Sequence, residues 1–243
     1  MVIQYAALTN KGNIRKENQD SLIIENRRIN SDAYTDAGTA STAAPVCFAV
    51  FDGMGGGQCG RDASVLAADM LLDQAGRSSL TEIFHNINAS IEAFVQANDL
   101  HSMGTTAAVL RFQDRAVEIC NIGDSGIYCF YQDRMVRLSE NHSIQIGNAG
   151  KRYLTQHLGL SSKEMRIEPF EQNIKLESGY RFLICSDGLT DPVPETEIFE
   201  ITSEAPLRDV CQTLYARAME NGGNDNISII IMDLKAEVDT HDR

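Results

Sequence analysis

Four aspartates stand where strand-like apolar runs begin or end, and carboxylates so placed could hold hard cations. Asp52 closes the run Val46–Phe51 and is followed by a stretch holding five glycines up to Gly60. An ionised carboxylate at the mouth of an apolar strand is costly unless a cation meets it. The glycines let other backbone come close to whatever sits there. Asp187 repeats the pattern in Cys185-Ser186-Asp187-Gly188, and Asp124 mirrors it in Gly123-Asp124 after Cys120-Asn121-Ile122. Asp225 lies between glycines and the last apolar run. Each alone reads as a turn residue, since Asp-Gly is a common turn pair. If the strand mouths share one side of the fold, the four carboxylates converge and repel. Mg²⁺ or Mn²⁺ with oxygen ligands would resolve that repulsion. His142 is a conceivable ligand, but five scattered histidines make zinc the weaker idea.

The same glycines admit another chemistry. Gly55-x-Gly57-x-x-Gly60 follows a strand, opens a helix and has Asp73 at a plausible distance, as in a dinucleotide-binding turn. That unit needs a strand after its first helix. Here a helix from Asp62 to the stop at Gly76 is followed by a second. Its start is marked by the capping box Ser79-x-x-Glu82, and Ile83, Phe84, Ile87, Ile91, Phe94 and Val95 recur at helical spacing. The dinucleotide reading loses most of its weight.

The remaining elements must carry the aspartates. Residues 3–8 read as a first strand, turned by Thr9-Asn10-Lys11-Gly12-Asn13. Residues 26–45 lack periodicity and read as a surface loop. Runs 105–112, 116–120, 127–131 and 135–138 are short, β-rich and tightly joined, which predicts one antiparallel meander with a corner at residues 123–126. Residues 139–152 are polar, 153–160 read as a short helix, and 180–185 as a strand. A helix over 195–201, a second one with Pro206 as its first residue, and a final strand over 227–232 complete the chain. The tail from Ala236 is polar and reads as frayed. Without repeat or linker, the chain divides into a domain over 1–235 and a tail over 236–243.

Composition sets limits. The 243 residues can bury a sizeable core, and a net charge of -13 argues against nucleic acid and anionic membrane as partners. Six cysteines without a C-x-x-C pair suit a reducing compartment. No basic-then-apolar leader is seen, and no apolar run approaches the roughly 18 residues of a membrane span. A cytoplasmic location follows as the expectation.

Six motifs in order resemble the bacterial PP2C-type (PPM) metal-dependent serine/threonine phosphatases. They are Arg15-x-x-Asn18-Gln19-Asp20, Phe51-Asp52-Gly53-Met54-Gly55-Gly56, Met103-Gly104-Thr105-Thr106, Asn121-Ile122-Gly123-Asp124-Ser125, Cys185-Ser186-Asp187-Gly188-Leu189-Thr190-Asp191 and Gly223-Asn224-Asp225-Asn226-Ile227-Ser228. The resemblance implies an α+β, four-layer αββα sandwich of two antiparallel sheets flanked by helix pairs. It implies Asp52 as the carboxylate bridging two Mn²⁺ or Mg²⁺ ions, with the Gly53 carbonyl, Asp187 and Asp225 as further ligands. Asp124, with Asp187, resembles the ligands of a third ion, and Asp20 lies close to the metals through water. Arg15 resembles the arginine that grips the substrate phosphate. The implied reaction is attack of a metal-bridging hydroxide on phosphoserine or phosphothreonine, in a monomer opposing a serine/threonine kinase. A phosphoprotein-binding adaptor without catalysis is the alternative, which loss of Asp52, Asp187 or Asp225 would have favoured.

Three departures stand out against the family. Met54 stands where eukaryotic members have a histidine proposed as general acid. Gln19 replaces a glutamate near the second ion. Asn141 replaces aspartate in Ser139-Glu140-Asn141-His142-Ser143, and the flap segment over 143–152 is short, so substrate handling is expected to differ.

Overall fold

A computed structural model describes residues 1–55, 59–146 and 151–236. Five helices and sixteen strands among them, numbered in chain order, form four layers. One sheet runs β11 (Arg134–Arg137), β10 (Gly126–Tyr131), β15 (Arg181–Cys185), β16 (Ile227–Lys235), β1 (Val2–Asn10) and β4 (Ala33–Ser41). The other runs β14 (Phe170–Lys175), β9 (Ala116–Ile122), β8 (Ala107–Gln113), β5 (Val46–Phe51), β2 (Ser21–Ile24) and β3 (Arg27–Ile29). Every strand pair is antiparallel.

Period-two alternation builds the layers, because successive strand residues point to opposite faces. In β5, Val46, Phe48 and Val50 enter the core between the sheets, and Cys47, Ala49 and Phe51 face a helix pair. That pair is α1 (Cys59–Gln74) and α2 (Leu80–Ala97); Ser79 caps α2 by accepting the Glu82 N–H. In β16, Ile230, Met232 and Leu234 point to the inter-sheet core, while Ile227, Ile229 and Ile231 meet the opposite helices. These are α3 (Asp187–Thr190), α4 (Glu195–Glu204) and α5 (Leu207–Glu220). The expected αββα sandwich is the observed one. No helix among the described residues is long and apolar enough to cross a membrane.

Several expectations are corrected. Residues 26–45 are not a loop: β3 and β4 lie there, and β4 pairs with β1 along nine residues. As an edge strand it exposes alternate small and polar residues, so its sequence carries little apolar signal. The expected meander is split, since β8–β9 belong to one sheet and β10–β11 to the other. The turn at residues 123–126 therefore crosses between sheets. Residues 153–160 are not helical: β13 (Lys151–Leu154) pairs with β12 (Ser143–Ile146), and Leu158 bridges to Thr105. These two strands begin within the segment 143–152 expected as a short flap; residues 147–150 lie outside the described residues, as do Gly56, Gly57 and the tail beyond 236. β14 had no counterpart in the sequence reading. Pro206 caps α5 in extended conformation rather than opening it. A two-stranded ladder of β6 (Gly53–Met54) and β7 (Gly104–Thr105) sits directly beside Asp52.

Candidate metal centre

The strand mouths do share one side. Asp52 follows β5, and three hydrogen bonds fix its peptide. Its N–H donates to Thr106 Oγ1 (3.1 Å), and its carbonyl accepts from Thr106 N–H and Thr105 Oγ1, both at 2.9 Å. Gly53 must be glycine, since a Cβ there would lie 2.1 Å from the Gly60 carbonyl at the start of α1. Asp187 opens the one-turn helix α3 directly after β15. Asp225 leads into β16.

Asp124 sits on the corner between sheets, where Gly123 takes a φ of 102°. Reciprocal bonds tie Gly123 to His142: its N–H donates to Nδ1 (3.1 Å) and its carbonyl accepts the His142 N–H (3.0 Å). Arg137 donates to the Asp124 carbonyl at 3.0 Å. Ser125 Oγ lies 2.7 Å from Thr106 Oγ1, so one threonine links this corner to the Asp52 peptide. His142 is thus a buried brace for the corner.

Asp20 lies deeper. It is fully buried, and its Oδ2 accepts from Ser228 Oγ at 2.6 Å. Its Oδ1 and the Oδ1 of Asp187 have no hydrogen-bond partner among the described residues. A buried orphan carboxylate oxygen is costly, so each fits a place where a cation belongs. Burial pushes Asp20 up to about 7 and Asp187 up to about 8, and neighbouring carboxylates add to both shifts. Asp52 stands well above the ordinary carboxylate range for the same first reason, then through repulsion by Asp20, Asp187, Asp124 and Asp225. Burial also raises Asp124. These mutual repulsions mark the five groups as one cluster.

Asp52, Gly53, Asp124, Asp187 and Asp225 line a cleft of about 1120 Å³ together with Arg15. Arg15, half-exposed, pairs with Asp225 through Nε to Oδ1 (2.8 Å) and Nη2 to Oδ2 (2.5 Å). The expected phosphate grip therefore rests on an expected metal ligand. Among the described residues no three His, Cys, Asp or Glu side chains stand as a finished coordination shell. The fit to a hard cation rests on the all-oxygen donor set and the two orphan oxygens.

Two cleft residues were missed from sequence. Arg152 on β13 forms an ion pair with Asp191, and both line the cleft. Asp191 was visible within its motif but without a role, and Arg152 carried no signal. Thr106 and Ser228 also lay inside quoted motifs, and their hydroxyls become legible only once their partners are placed.

The protein phosphatase 2C family model matches residues 23–228, and the chain belongs to that family. Phosphoprotein hydrolysis at serine and threonine is the activity that goes with this membership. The serine/threonine phosphatase Stp of Listeria innocua is 28% identical over 253 residues, covering 93% of each chain. The crystal structure of the Mycobacterium tuberculosis serine/threonine phosphatase PstP/Ppp superposes with a TM-score of 0.79 at 24% identity, covering 97% of this chain and 100% of that one. A PstP catalytic domain in complex with two manganese ions gives a TM-score of 0.77 at 24% identity, with the same coverage.

Proposed function

We propose that this chain hydrolyses phosphoserine and phosphothreonine in proteins with Mn²⁺ or Mg²⁺ held in the carboxylate cleft. The observation that carries the reading is the convergence of Asp20, Asp52, Asp124, Asp187 and Asp225 with two partnerless buried oxygens. Asp52, the Gly53 carbonyl, Asp187 and Asp225 would hold two ions, Asp124 with Asp187 a third, and Asp20 would sit behind them. When bound, the ions supply an acidified water and neutralise charge at phosphorus.

The protein's own groups do the rest. Thr105 and Thr106 fix the Asp52 peptide, so its carboxylate is presented without reorganisation. Arg15 stands on the cleft wall, and its planar fork of donors suits phosphoryl oxygens as it suits Asp225. Engagement of Asp225 elsewhere frees that fork for substrate. Met54 lines the cleft and can give no proton, so it cannot serve the leaving alkoxide as general acid.

The reading extends to a cytoplasmic monomer that opposes a serine/threonine kinase, supported by six free cysteines that suit a reducing compartment. The test is phosphate release from a phosphothreonine peptide with Mn²⁺, with chelator, and after cysteine alkylation. Release with Mn²⁺, none with chelator and no effect of alkylation are expected. Turnover that survives chelation would overturn the proposal.

A further inference from the structure

Three chain segments meet at the cleft: the loop after β1 that carries Arg15 and Asp20, the turn that carries Asp187, and the approach to β16 that carries Asp225. One residue ties them together: its side chain holds the first segment, and its backbone bonds to Asp225 and to Ser186 beside Asp187. Asn226 is 4% exposed, and each of its polar groups is committed. Nδ2 donates to the carbonyls of Lys11 and Glu17, each at 3.0 Å. Oδ1 accepts the Gln19 N–H at 2.9 Å. Its backbone N–H donates to Asp225 Oδ1 at 2.8 Å, the oxygen that also accepts from Arg15 Nε. Its carbonyl accepts Ser186 Oγ at 3.3 Å, beside Asp187.

We propose that Asn226 is the positioning residue that sets Arg15 for the substrate phosphate, an inference that rests on the phosphatase reading. Lys11 and Glu17 lie on either side of Arg15 in sequence, so the two Nδ2 bonds fix both limbs of the loop that presents the guanidinium. The packing leaves the loop no other seat. A Cβ on Gly12 would lie 2.3 Å from the Asp225 carbonyl, and one on Gly188 would lie 1.9 Å from the Asn226 carbonyl. A carboxamide is required because the site asks for two donors and one acceptor from one short side chain. Aspartate has the right size and the wrong chemistry: it would turn an acceptor toward two carbonyls. Asn226 acts through Arg15 and touches no substrate.

The experiment is a double-mutant cycle read by inorganic phosphate binding to the Mn²⁺-loaded protein in a calorimeter, which needs no turnover. Asn226→Asp should weaken phosphate about tenfold, the scale of two lost hydrogen bonds. Added to Arg15→Ala, it should weaken phosphate by less than about twofold further, since the two residues act as one unit. KM for p-nitrophenyl phosphate should rise in parallel with the phosphate loss, while kcat falls by less than about threefold. A purely structural Asn226 would lower the unfolding temperature and leave phosphate affinity alone, which overturns the proposal. So would a loss that multiplies undiminished on the Arg15→Ala background. Should Asn226→Asp fail to fold, Asn226→Ala carries the same cycle without adding a charge. Failure of the wild type to turn over any phosphoester would defeat the phosphatase reading, and the phosphate affinities would still decide the role of Asn226.

Discussion

The two ends of the sandwich treat buried charge in opposite ways. Away from the cleft, a partly buried carboxylate in each sheet meets an arginine on the neighbouring strand. In the β8–β9 pair, Arg111 faces Glu118 across the strands and also donates to the carbonyls of Ala75 and Ser78, just past α1. In the β15–β16 pair, Arg181 faces Asp233 and reaches the carbonyls of Thr202 and Ala205 around the end of α4. The same device thus anchors a helix to each sheet. At the cleft end, five carboxylates gather, Arg15 is shared with one of them, and Arg152 is taken by Asp191. Balanced charge makes the far end scaffold. Unbalanced charge makes the near end a site that asks for something from outside.

The comparison breaks most sharply at Asp52. Asp52→Asn should lower kcat by about 10³-fold, the range for loss of a central electrostatic element, with the fold kept or stabilised because one repelling charge is gone. Steady-state kinetics and thermal unfolding check both halves, and a wild-type rate would remove Asp52 from the chemistry. At the far end the expectation is reversed. Arg181→Ala leaves Asp233 with no guanidinium and should cost about 3 kcal/mol of stability, read by denaturant unfolding, while Mn²⁺ affinity stays within twofold or so. Loss of Mn²⁺ binding in that variant would show that the two ends are not independent.

Arg15→Ala should raise KM about tenfold or more without weakening Mn²⁺ binding, because its removal frees Asp225. An unchanged KM would make Arg15 a charge-balancing residue like those at the far end. The smallest effect concerns pH. Asp20 and Asp187 titrate in the metal-free fold at about 7 and about 8, against about 3.9 in the unfolded chain. The folded state therefore binds more protons, and stability falls as pH rises. That contribution is full below about pH 4 and lost as pH passes through about 8. Metal-free protein should lose a few degrees of Tm between about pH 5.5 and 8.5, and Mn²⁺ should abolish the trend. A flat metal-free profile would mean that the carboxylates are not in conflict.

The site was legible in the sequence where chemistry and turn geometry coincide. Asp52-Gly53, Gly123-Asp124 and Asp187-Gly188 each announce a strand mouth, and the helix pair after Asp52 shows in its helical spacing, while the αββα sandwich was implied by the motif resemblance. What escaped did so for physical reasons. β4 shows solvent one face of Ala, Thr and Ser, and an edge strand of that composition looks like a loop. The corner at Gly123 looks identical whether it joins neighbours in one sheet or crosses to the other, because the four residues do not encode where the next strand pairs. β14 alternates half-buried and exposed residues and carries only two apolar side chains, Phe170 and Ile174. Asp20 was expected near the ions through water; its full burial under Ser228 depends on a partner more than 200 residues away.

The split of the corner has a consequence for how the chain stays folded. Asp52 belongs to one sheet, while Asp187 and Asp225 belong to the other. A cation held among them is a reversible cross-link between distant parts of the polymer, in a protein whose six thiols form no covalent one. Closing a loop of that length removes chain entropy on the order of 5 kcal/mol from the unfolded ensemble. Supply of divalent cation would then govern resistance to proteolysis as well as turnover, and starvation for the ion would shorten the life of the molecule that it silences.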